Sequence, residues 1–180
     1  MPAGSLPLLP ERFIRLTPSG ARVERDAWTF VGLQGPPDLG ATGRLVVPLA
    51  NLREARERQG ADATIGVWLA PGDDPARLAG DLDHVGVIAI HFPKLTDGRG
   101  YSTAASLRRR YGYRGELRAF GDIGRDQLYY LRRCGFCAFS LAPHHDPEAA
   151  LPSLDTFTVR YQAAIDEPLP LFRRRAEMRA

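Results

Sequence analysis

The stretch of the sequence best suited to binding a small molecule is 92–102, which is rich in polar residues and glycine. It follows a strongly apolar run and is longer than most loops that lead from a strand to a helix. Arg99 offers a planar fork for two oxygens of an anion, and Lys94 adds a compact positive charge. Ser102 is placed to cap the following helix, whose free N–H groups favour an anion. We therefore expect a pocket for phosphate, sulfate, sulfite or a carboxylate, formed by Lys94, Arg99, Gly100, Tyr101 and Ser102.

A structural alternative for the same stretch stays open at this stage. Asp97 lies two residues before Arg99 and can pair with it or cap backbone amides, which would make the stretch a turn without a ligand. Lys94 is the only lysine among the 24 Lys and Arg residues of the chain. A titratable ammonium in an arginine-rich background favours a functional role, and its presence by chance is the alternative.

A second polar connection, 121–126, follows the next apolar run and contains Asp122. Because neighbouring parallel strands end at the same edge of a sheet, we expect Asp122 to lie beside Lys94. There it would orient the ammonium or accept a proton from it, so Lys94 and Asp122 are the candidate catalytic residues. A purely structural role for Asp122 is equally compatible with the sequence. Asp126 falls in the first turn of the next helix, where the helix dipole alone favours a carboxylate.

The two cysteines, Cys134 and Cys137, form a Cys-x-x-Cys motif, but their sequence context does not suit redox chemistry. A reactive thiol is activated at the start of a helix, whereas Cys134 ends a helical pattern and Cys137 begins a strand. We expect both to be structural. Two cysteines also fall short of a zinc site, and the adjacent His144 and His145 lack the spacing of a helical metal site. No metal is therefore predicted, and His91 is interpreted as a packed side chain.

Composition and motifs exclude several functional classes. The net charge is only +3, and the arginine clusters 108–110 and 173–175 lack a nucleic-acid-binding motif, so we expect solvated faces and no nucleic acid. Dinucleotide, phosphate-loop and nucleophile-elbow motifs are absent from the sequence, so no cofactor is predicted. No apolar run reaches about 18 residues, and prolines break the apolar start 1–10. We therefore expect neither a membrane span nor a signal peptide, and two cysteines favour a reduced, cytoplasmic protein.

The elements that must position these residues follow from length and periodicity. A chain of 180 residues, 44% of them hydrophobic, is suited to one domain. Its Pro- and Gly-rich segment 1–43 is expected to carry a short β-hairpin, made by 13–16 and 27–31. Helical patterns alternate with near-continuous apolar runs in 44–165, which predicts an α/β domain with a mostly parallel sheet of about five strands and crossover helices. An open sheet and a partial barrel both fit, whereas a full eight-stranded barrel needs a longer chain.

The C-terminal stretch 166–180 is expected to be an extended, arginine-rich tail. Its two prolines, Pro168 and Pro170, prevent a preceding helix from continuing and favour an extended path. The apolar residues around them, including Phe172, belong to a segment too short to bury itself. They should therefore lie either on this domain or on a partner that the tail docks to.

Five blocks of the sequence carry a family resemblance through their order and spacing: 92–102, 115–122, 125–128, 133–136 and 166–175. Together they resemble the bacterial family known as domain of unknown function 934. The resemblance implies a place in sulfate and sulfite reduction, because genes of this family tend to lie beside those for sulfite reductase and phosphoadenylylsulfate reductase. It implies no catalytic residue or cofactor. The family usually has an acidic residue at the position of Cys137, which further weakens a redox role for the Cys-x-x-Cys motif.

Two functional hypotheses follow. In the first, the protein is an accessory or docking protein of the sulfite-reducing machinery, with sulfite reductase or phosphoadenylylsulfate reductase as its partner. In the second, it is a small oxidoreductase-type enzyme that acts on a sulfur oxyanion or another anionic small molecule. An enzyme requires a cleft in which Lys94, Arg99 and Asp122 converge, whereas a docking protein requires an exposed apolar surface. The oligomeric state is open, with a homo-oligomer as one alternative.

Overall fold

One β-sheet organises the protein. The computed structural model describes residues 9–60 and 63–177, and the sheet in this part of the chain contains eight strands. In chain order they are β1 (Arg12–Thr17), β2 (Gly20–Arg25), β3 (Trp28–Phe30), β4 (Arg44–Pro48), β5 (Ile65–Leu69), β6 (Val85–Phe92), β7 (Glu116–Gly121) and β8 (Ala138–Ser140). Their order across the sheet is β2-β1-β8-β7-β6-β5-β4-β3.

The pairing of the strands makes the sheet mixed. Strands β3 to β8 lie side by side in chain order, each parallel to the next. Strand β1 pairs antiparallel with β8 on one side and with β2 on the other. All five residues of β5 are buried, as expected of a parallel strand that is covered on both faces. The expected α/β fold is therefore present, but the prediction of a mostly parallel sheet of about five strands is wrong in both strand number and strand direction.

The N-terminal hairpin accounts for part of this difference. We expected 13–16 to pair with 27–31, but β1 pairs with β2 through a tight turn in which Gly20 has a φ of +124°. Glycine adopts that conformation without steric strain. Residues 28–30 instead form β3 at the opposite edge of the sheet, next to β4. The sequence pattern did not predict β2, because charged side chains interrupt this strand and leave no apolar run.

The sheet curls into an open half-barrel, which corresponds to the partial-barrel alternative. Strands β2 and β3 are its two edges, yet only Asp26 and Ala27 separate them in the chain. Three Cα–Cα steps span at most about 11 Å. The end of β2 and the start of β3 therefore approach each other across the open side of the curl.

The helices that follow β4, β6 and β7 cover the outer face of the sheet, as crossover connections in a barrel-like sheet require. Ala55, Leu107 and Leu131 belong to the main apolar core, which joins the helices to the strands. Within the described residues no helix is both long and apolar enough to cross a membrane. The helices are α1 (Leu52–Gln59), α2 (Arg99–Arg109), α3 (Leu128–Arg133), α4 (Pro147–Ala150) and α5 (Leu171–Glu177).

The inner face of the curl carries a second, smaller apolar cluster around Trp68 and Phe120. The two rings lie edge to face, with their centroids 6.4 Å apart. The indole N–H of Trp68 donates a hydrogen bond of 2.9 Å to the carbonyl of Val31. This bond fixes the connection after β3 against the inner face.

The end of the chain departs from the expected extended tail, because residues 171–177 form α5. The carbonyl of Pro170 accepts hydrogen bonds from the backbone N–H groups of Arg173 and Arg174, at 3.0 and 3.2 Å. Pro170, which was expected to favour an extended path, therefore lies at the start of a helix, where proline is well tolerated. Residues 178–180 lie outside the described part of the chain, as do residues 1–8 of the start for which no signal peptide was expected.

Candidate functional site

The loops at the carboxyl edge of the sheet lie side by side, as the sequence predicted. A carboxylate oxygen of Asp122, which follows β7, accepts a hydrogen bond of 3.1 Å from the backbone N–H of Leu95. The backbone N–H of Asp122 donates to the carbonyl of Phe92 at 2.7 Å. On the other side, Arg99 Nη1 donates to the carbonyl of Pro71, which follows β5, at 3.1 Å. Stretch 92–102 is thus fixed to the loops of both neighbouring strands.

The fork of Arg99 is occupied by a carboxylate of its own loop. Arg99 Nε lies 2.9 Å from Asp97 Oδ1, and Nη2 lies 2.6 Å from Oδ2. The hydrogen bonds from Arg99 lower the pKa of Asp97 to about 2. The third nitrogen of the guanidinium binds Pro71, so every nitrogen of the fork has a partner. The structure therefore favours the turn-forming alternative for Arg99 and leaves no free fork for an anion.

Ser102 does not cap the helix, because α2 begins four residues earlier than expected. The N-cap residue is Gly98, and α2 starts at Arg99. The hydroxyl of Ser102 donates to the carbonyl of Arg99 at 2.9 Å, inside the first turn. Asp97 takes the expected capping role, since its Oδ1 accepts from the backbone N–H of Arg99 at 3.2 Å.

Gly100 and Tyr101 serve packing at the same helix start. A Cβ atom at Gly100 would lie 2.4 Å from Cζ of Phe92, whose ring is completely buried. Glycine is required at position 100 because α2 packs directly against the end of β6. The ring of Tyr101 lies edge to face on Phe92, with centroids 5.2 Å apart. Its hydroxyl accepts a hydrogen bond of 3.1 Å from Gln127, and burial raises the pKa of Tyr101.

Lys94 and Asp122 do not form the expected pair. Lys94 is exposed, and its ammonium has no partner among residues 9–60 and 63–177. Asp122 instead holds the loop through the amide of Leu95. Gly121, directly before Asp122, has a φ of +110°, and a Cβ there would lie 2.3 Å from the carbonyl oxygen of Phe92. This close approach of two backbones brings the loops together and leaves the lysine outside.

His91, the penultimate residue of β6, lies on the inner face of the curl. It is 5% exposed and packs against Phe120, with ring centroids 5.1 Å apart, which confirms the interpretation of His91 as a packed side chain. Its Nε2 is buried without a hydrogen-bond partner in the described part of the chain. Burial lowers the pKa of His91 against an opposing effect of the Asp97 charge. The imidazole is therefore neutral near pH 7.

The inner face also contains a buried ion-pair network that the sequence did not predict. Arg118 on β7 is completely buried and binds Asp26, from the β2–β3 connection, together with Glu116 at 2.6 Å. Its guanidinium carbon lies 3.9 Å from the ring centroid of Phe13. Glu116 also binds Arg15 at 2.7 Å. The only sequence signal was a charged residue in the middle of an apolar run.

The cysteines occupy the structural positions that the sequence predicted. Cys134 follows the last turn of α3, and burial raises the pKa of its thiol. The Sγ of Cys137 accepts from the backbone N–H of Leu117 at 3.4 Å and lies 3.7 Å from Arg108 Nη2. Within residues 9–60 and 63–177, no group of three or more His, Cys, Asp or Glu side chains is arranged to hold a metal ion.

A cavity of about 850 Å³ is lined by β3, by Arg25 and Asp26 just before it, and by residues of the segments 9–11 and 31–38. Trp28 and Phe30 form an aromatic wall, and Glu11 and Arg25 are among its polar lining residues. It shares no lining residue with stretch 92–102 or with Asp122. The cavity is therefore separate from the carboxyl-edge residues that the sequence singled out.

Four large apolar side chains near the end of the chain are strongly exposed. They are Phe157, Val159, Tyr161 and Phe172, with exposed fractions of 58%, 61%, 66% and 61%, and we call them the C-terminal apolar surface. The backbone N–H of Leu171 donates to the carbonyl of Tyr161 at 3.0 Å, so the start of α5 lies next to the chain at Tyr161. The ring of Phe157 also contacts Tyr129 of α3, with centroids 5.0 Å apart.

Ion pairs hold the backbone beneath this surface in place. Asp166 binds Arg160 at 3.1 Å and Arg133 of α3 at 3.4 Å. Arg174 on the inward side of α5 binds Glu167 at 3.3 Å. The Arg133–Asp166 pair joins the segment to α3 and the other two pairs order the segment internally, while the four side chains of the C-terminal apolar surface stay exposed.

Comparison with known proteins gives one family match. The family model described as "Bacterial protein of unknown function (DUF934)" matches residues 66–172, which is 107 of the 180 residues. The matched region runs from within β5 to the second residue of α5 and includes the carboxyl-edge loops that follow β5 to β8. No curated protein matches the chain.

Proposed function

The chain belongs to the DUF934 family of bacterial proteins, and we propose that it acts in assimilatory sulfate and sulfite reduction as an accessory protein that docks onto the reducing enzymes. Its partner is sulfite reductase or phosphoadenylylsulfate reductase. The pathway rests on the sequence resemblance and on the gene neighbourhood that the resemblance implies.

One observation supports docking above all, the C-terminal apolar surface. Exposed clusters of large apolar residues on soluble proteins are typical of protein–protein contact sites. Here the exposed residues Phe157, Val159, Tyr161 and Phe172 lie on a segment that ion pairs hold in a defined position. An ordered apolar surface binds a partner at a smaller entropic cost than a disordered tail.

The loops at the carboxyl edge support an oxyanion pocket less strongly than the C-terminal apolar surface supports docking. Arg99 is engaged by Asp97 and Pro71, and Asp122 is engaged by Leu95. An anion at Arg99 would have to displace a carboxylate that is already bound through two hydrogen bonds. The proposal therefore assigns the 92–102 loop a structural role.

Affinity purification of the tagged protein from sulfate-grown cells tests the proposal. We expect sulfite reductase or phosphoadenylylsulfate reductase to be recovered with the wild type and to be lost with Tyr161→Ser and Phe172→Ser. Leu95→Ser is the matched control, because Leu95 is 52% exposed but lies in the loop after β6. Absence of both reductases from the wild-type sample would contradict the proposal, and so would equal recovery with all variants.

A second candidate function is a small oxidoreductase-type enzyme that acts on a sulfur oxyanion or another anionic small molecule. It is favoured by His91, whose buried Nε2 lacks a partner in the described residues, and by the unpaired Lys94 in the loop that follows. Calorimetric titration with sulfite, sulfate and phosphate separates the two functions. Millimolar or tighter binding that Lys94→Gln abolishes would favour the enzyme, and no binding would leave docking alone.

A further inference from the structure

The two sides of α5 differ in chemistry. Arg174 is partly buried and binds Glu167 and the carbonyl of Arg160, both in the chain just before the helix. Phe172, Arg173 and Arg175 are exposed on the other side. Phe172 and Arg175 are three residues apart and therefore share a helix face. The helix thus presents an aromatic ring with arginines beside it.

The two exposed arginines of α5 are unpaired in the structure. Neither Arg173 nor Arg175 has a side-chain partner among residues 9–60 and 63–177. Their neighbours in the same segment, Arg160 and Arg174, both form ion pairs. Two guanidinium groups beside an exposed ring are therefore free to bind anionic groups on another molecule.

We propose that the partner covers the C-terminal apolar surface with an apolar patch that is bordered by carboxylates, which pair with Arg173 and Arg175. This inference rests on the proposed docking function and specifies the partner's surface. Arginine binds carboxylates through paired hydrogen bonds. Charge complementarity around an apolar centre accelerates association and selects the partner, while the apolar centre slows dissociation.

A second copy of this chain fits the surface less well. In a symmetric dimer the same patch faces itself, so the free arginines of one protomer would lie near those of its partner. Like charges brought together at an interface are unfavourable. An acidic surface on a different protein removes this repulsion and gives both arginines a partner.

Binding should also stabilise α5 itself. The helix has only seven residues, and isolated helices shorter than about 12 residues are marginal in water. A partner that covers Phe172 would add the packing that the exposed face lacks. Amide hydrogen exchange in 171–177 should therefore slow on binding, whereas exchange in α2 should stay unchanged.

The test uses purified sulfite reductase and phosphoadenylylsulfate reductase from the same bacterium, immobilised for biolayer interferometry. Binding is measured at about 50 and about 300 mM NaCl, which changes the screening length more than twofold. Arg173→Gln with Arg175→Gln should lower the association rate constant about tenfold at low salt and remove most of its salt dependence. Phe172→Ser should raise the dissociation rate constant. Arg109→Gln with Arg110→Gln, at the exposed arginines that end α2 and directly follow it, is the matched control and should bind like the wild type.

The outcomes separate this inference from the proposed function. If the association rate constant changes neither with salt nor with Arg173→Gln/Arg175→Gln, the acidic-partner inference is overturned and docking is left intact. No binding of either reductase would overturn the proposed function, and the inference with it. A dimer in sedimentation that Phe172→Ser dissociates would assign the surface to a second copy and overturn the inference.

Discussion

Replacing Arg118 tests whether the inner face of the half-barrel depends on a buried charge. The guanidinium is completely buried between the carboxylates of Asp26 and Glu116, against the ring of Phe13. Arg118→Met keeps a long side chain in this place but removes five N–H donors. The substitution therefore changes the charge and the hydrogen bonds more than the packing.

The expected loss of stability depends on which partners remain for each carboxylate after Arg118 is replaced. Glu116 still has Arg15 at 2.7 Å, whereas Asp26 retains, among the described residues, the backbone N–H of Trp28 at 3.0 Å. Removing one member of a buried ion pair lowers the free energy of unfolding by about 3–5 kcal/mol, because the other charge stays buried. For a chain of this size that loss corresponds to a decrease in Tm of roughly 6–20 °C. Arg118→Lys keeps the charge without the fork and should lie between the wild type and Arg118→Met.

Urea unfolding followed by tryptophan fluorescence measures the loss. The decisive control is Arg118→Met combined with Asp26→Asn, which removes the orphaned charge. We expect this double variant to be more stable than Arg118→Met alone, so that the double-mutant cycle shows strong coupling. A loss below about 1 kcal/mol for Arg118→Met would refute the reasoning, because it would give the buried network the energy of a surface ion pair. A double variant less stable than Arg118→Met would refute it as well.

Three further predictions concern the carboxyl edge and the cysteine at the end of α3. Gly100→Ala should lower the free energy of unfolding by about 1–3 kcal/mol, since its Cβ would meet the ring of Phe92, whereas Gly98→Ala, with open space around it, should be nearly neutral in the same urea titration. Because burial holds the pKa of His91 below its ordinary value, its contribution to stability is complete above about pH 6.5 and is lost as the pH falls below that value. The Tm of His91→Gln should therefore fall less between pH 7 and pH 5 than that of the wild type, and parallel curves would contradict this. Cys134→Ala should lower stability by about 1–2 kcal/mol through lost packing without affecting growth on sulfate, and a growth defect in a folded variant would contradict the structural role.

The fold was predictable where local pattern and burial agree. Near-continuous apolar runs predicted β4 to β8, because parallel strands that are covered on both faces have few polar positions. The start of α4 has a local signal in Asp146 followed by Pro147, and the Asp146 side chain accepts from the backbone N–H groups of Glu148 and Ala149. The elements that depend on local sequence signals were therefore found.

Pairing across the curl was not predictable in the same way. The edge strands β2 and β3 are short or charged, and their partners depend on how the whole sheet closes. Residues 27–31 have the pattern of a hairpin strand, but they pair with β4, which lies far from β1 across the sheet. A local pattern does not contain this information, because the register of an edge strand is set by tertiary contacts.

The site residues show a similar division. The sequence placed the 92–102 and 121–126 stretches next to each other, since strand order fixes which loops are neighbours. It could not decide whether Arg99 binds a ligand or Asp97, because both arrangements use the same residues and differ only in side-chain conformation. Likewise, Arg118 gave little signal, since its carboxylate partner Asp26 is distant in the chain.

The distribution of satisfied and unsatisfied groups connects the structure to docking. At the carboxyl edge, Asp97, Arg99 and Asp122 satisfy one another or the backbone, so this region is already stable without a ligand. At the end of the chain, large apolar side chains and two guanidinium groups are exposed on a segment that is nevertheless held in place. Exposed apolar area is unfavourable in water, and an ordered segment cannot reduce it by collapsing. A partner that covered this surface and paired with Arg173 and Arg175 would satisfy these groups together, which is why we propose docking at the C-terminal apolar surface.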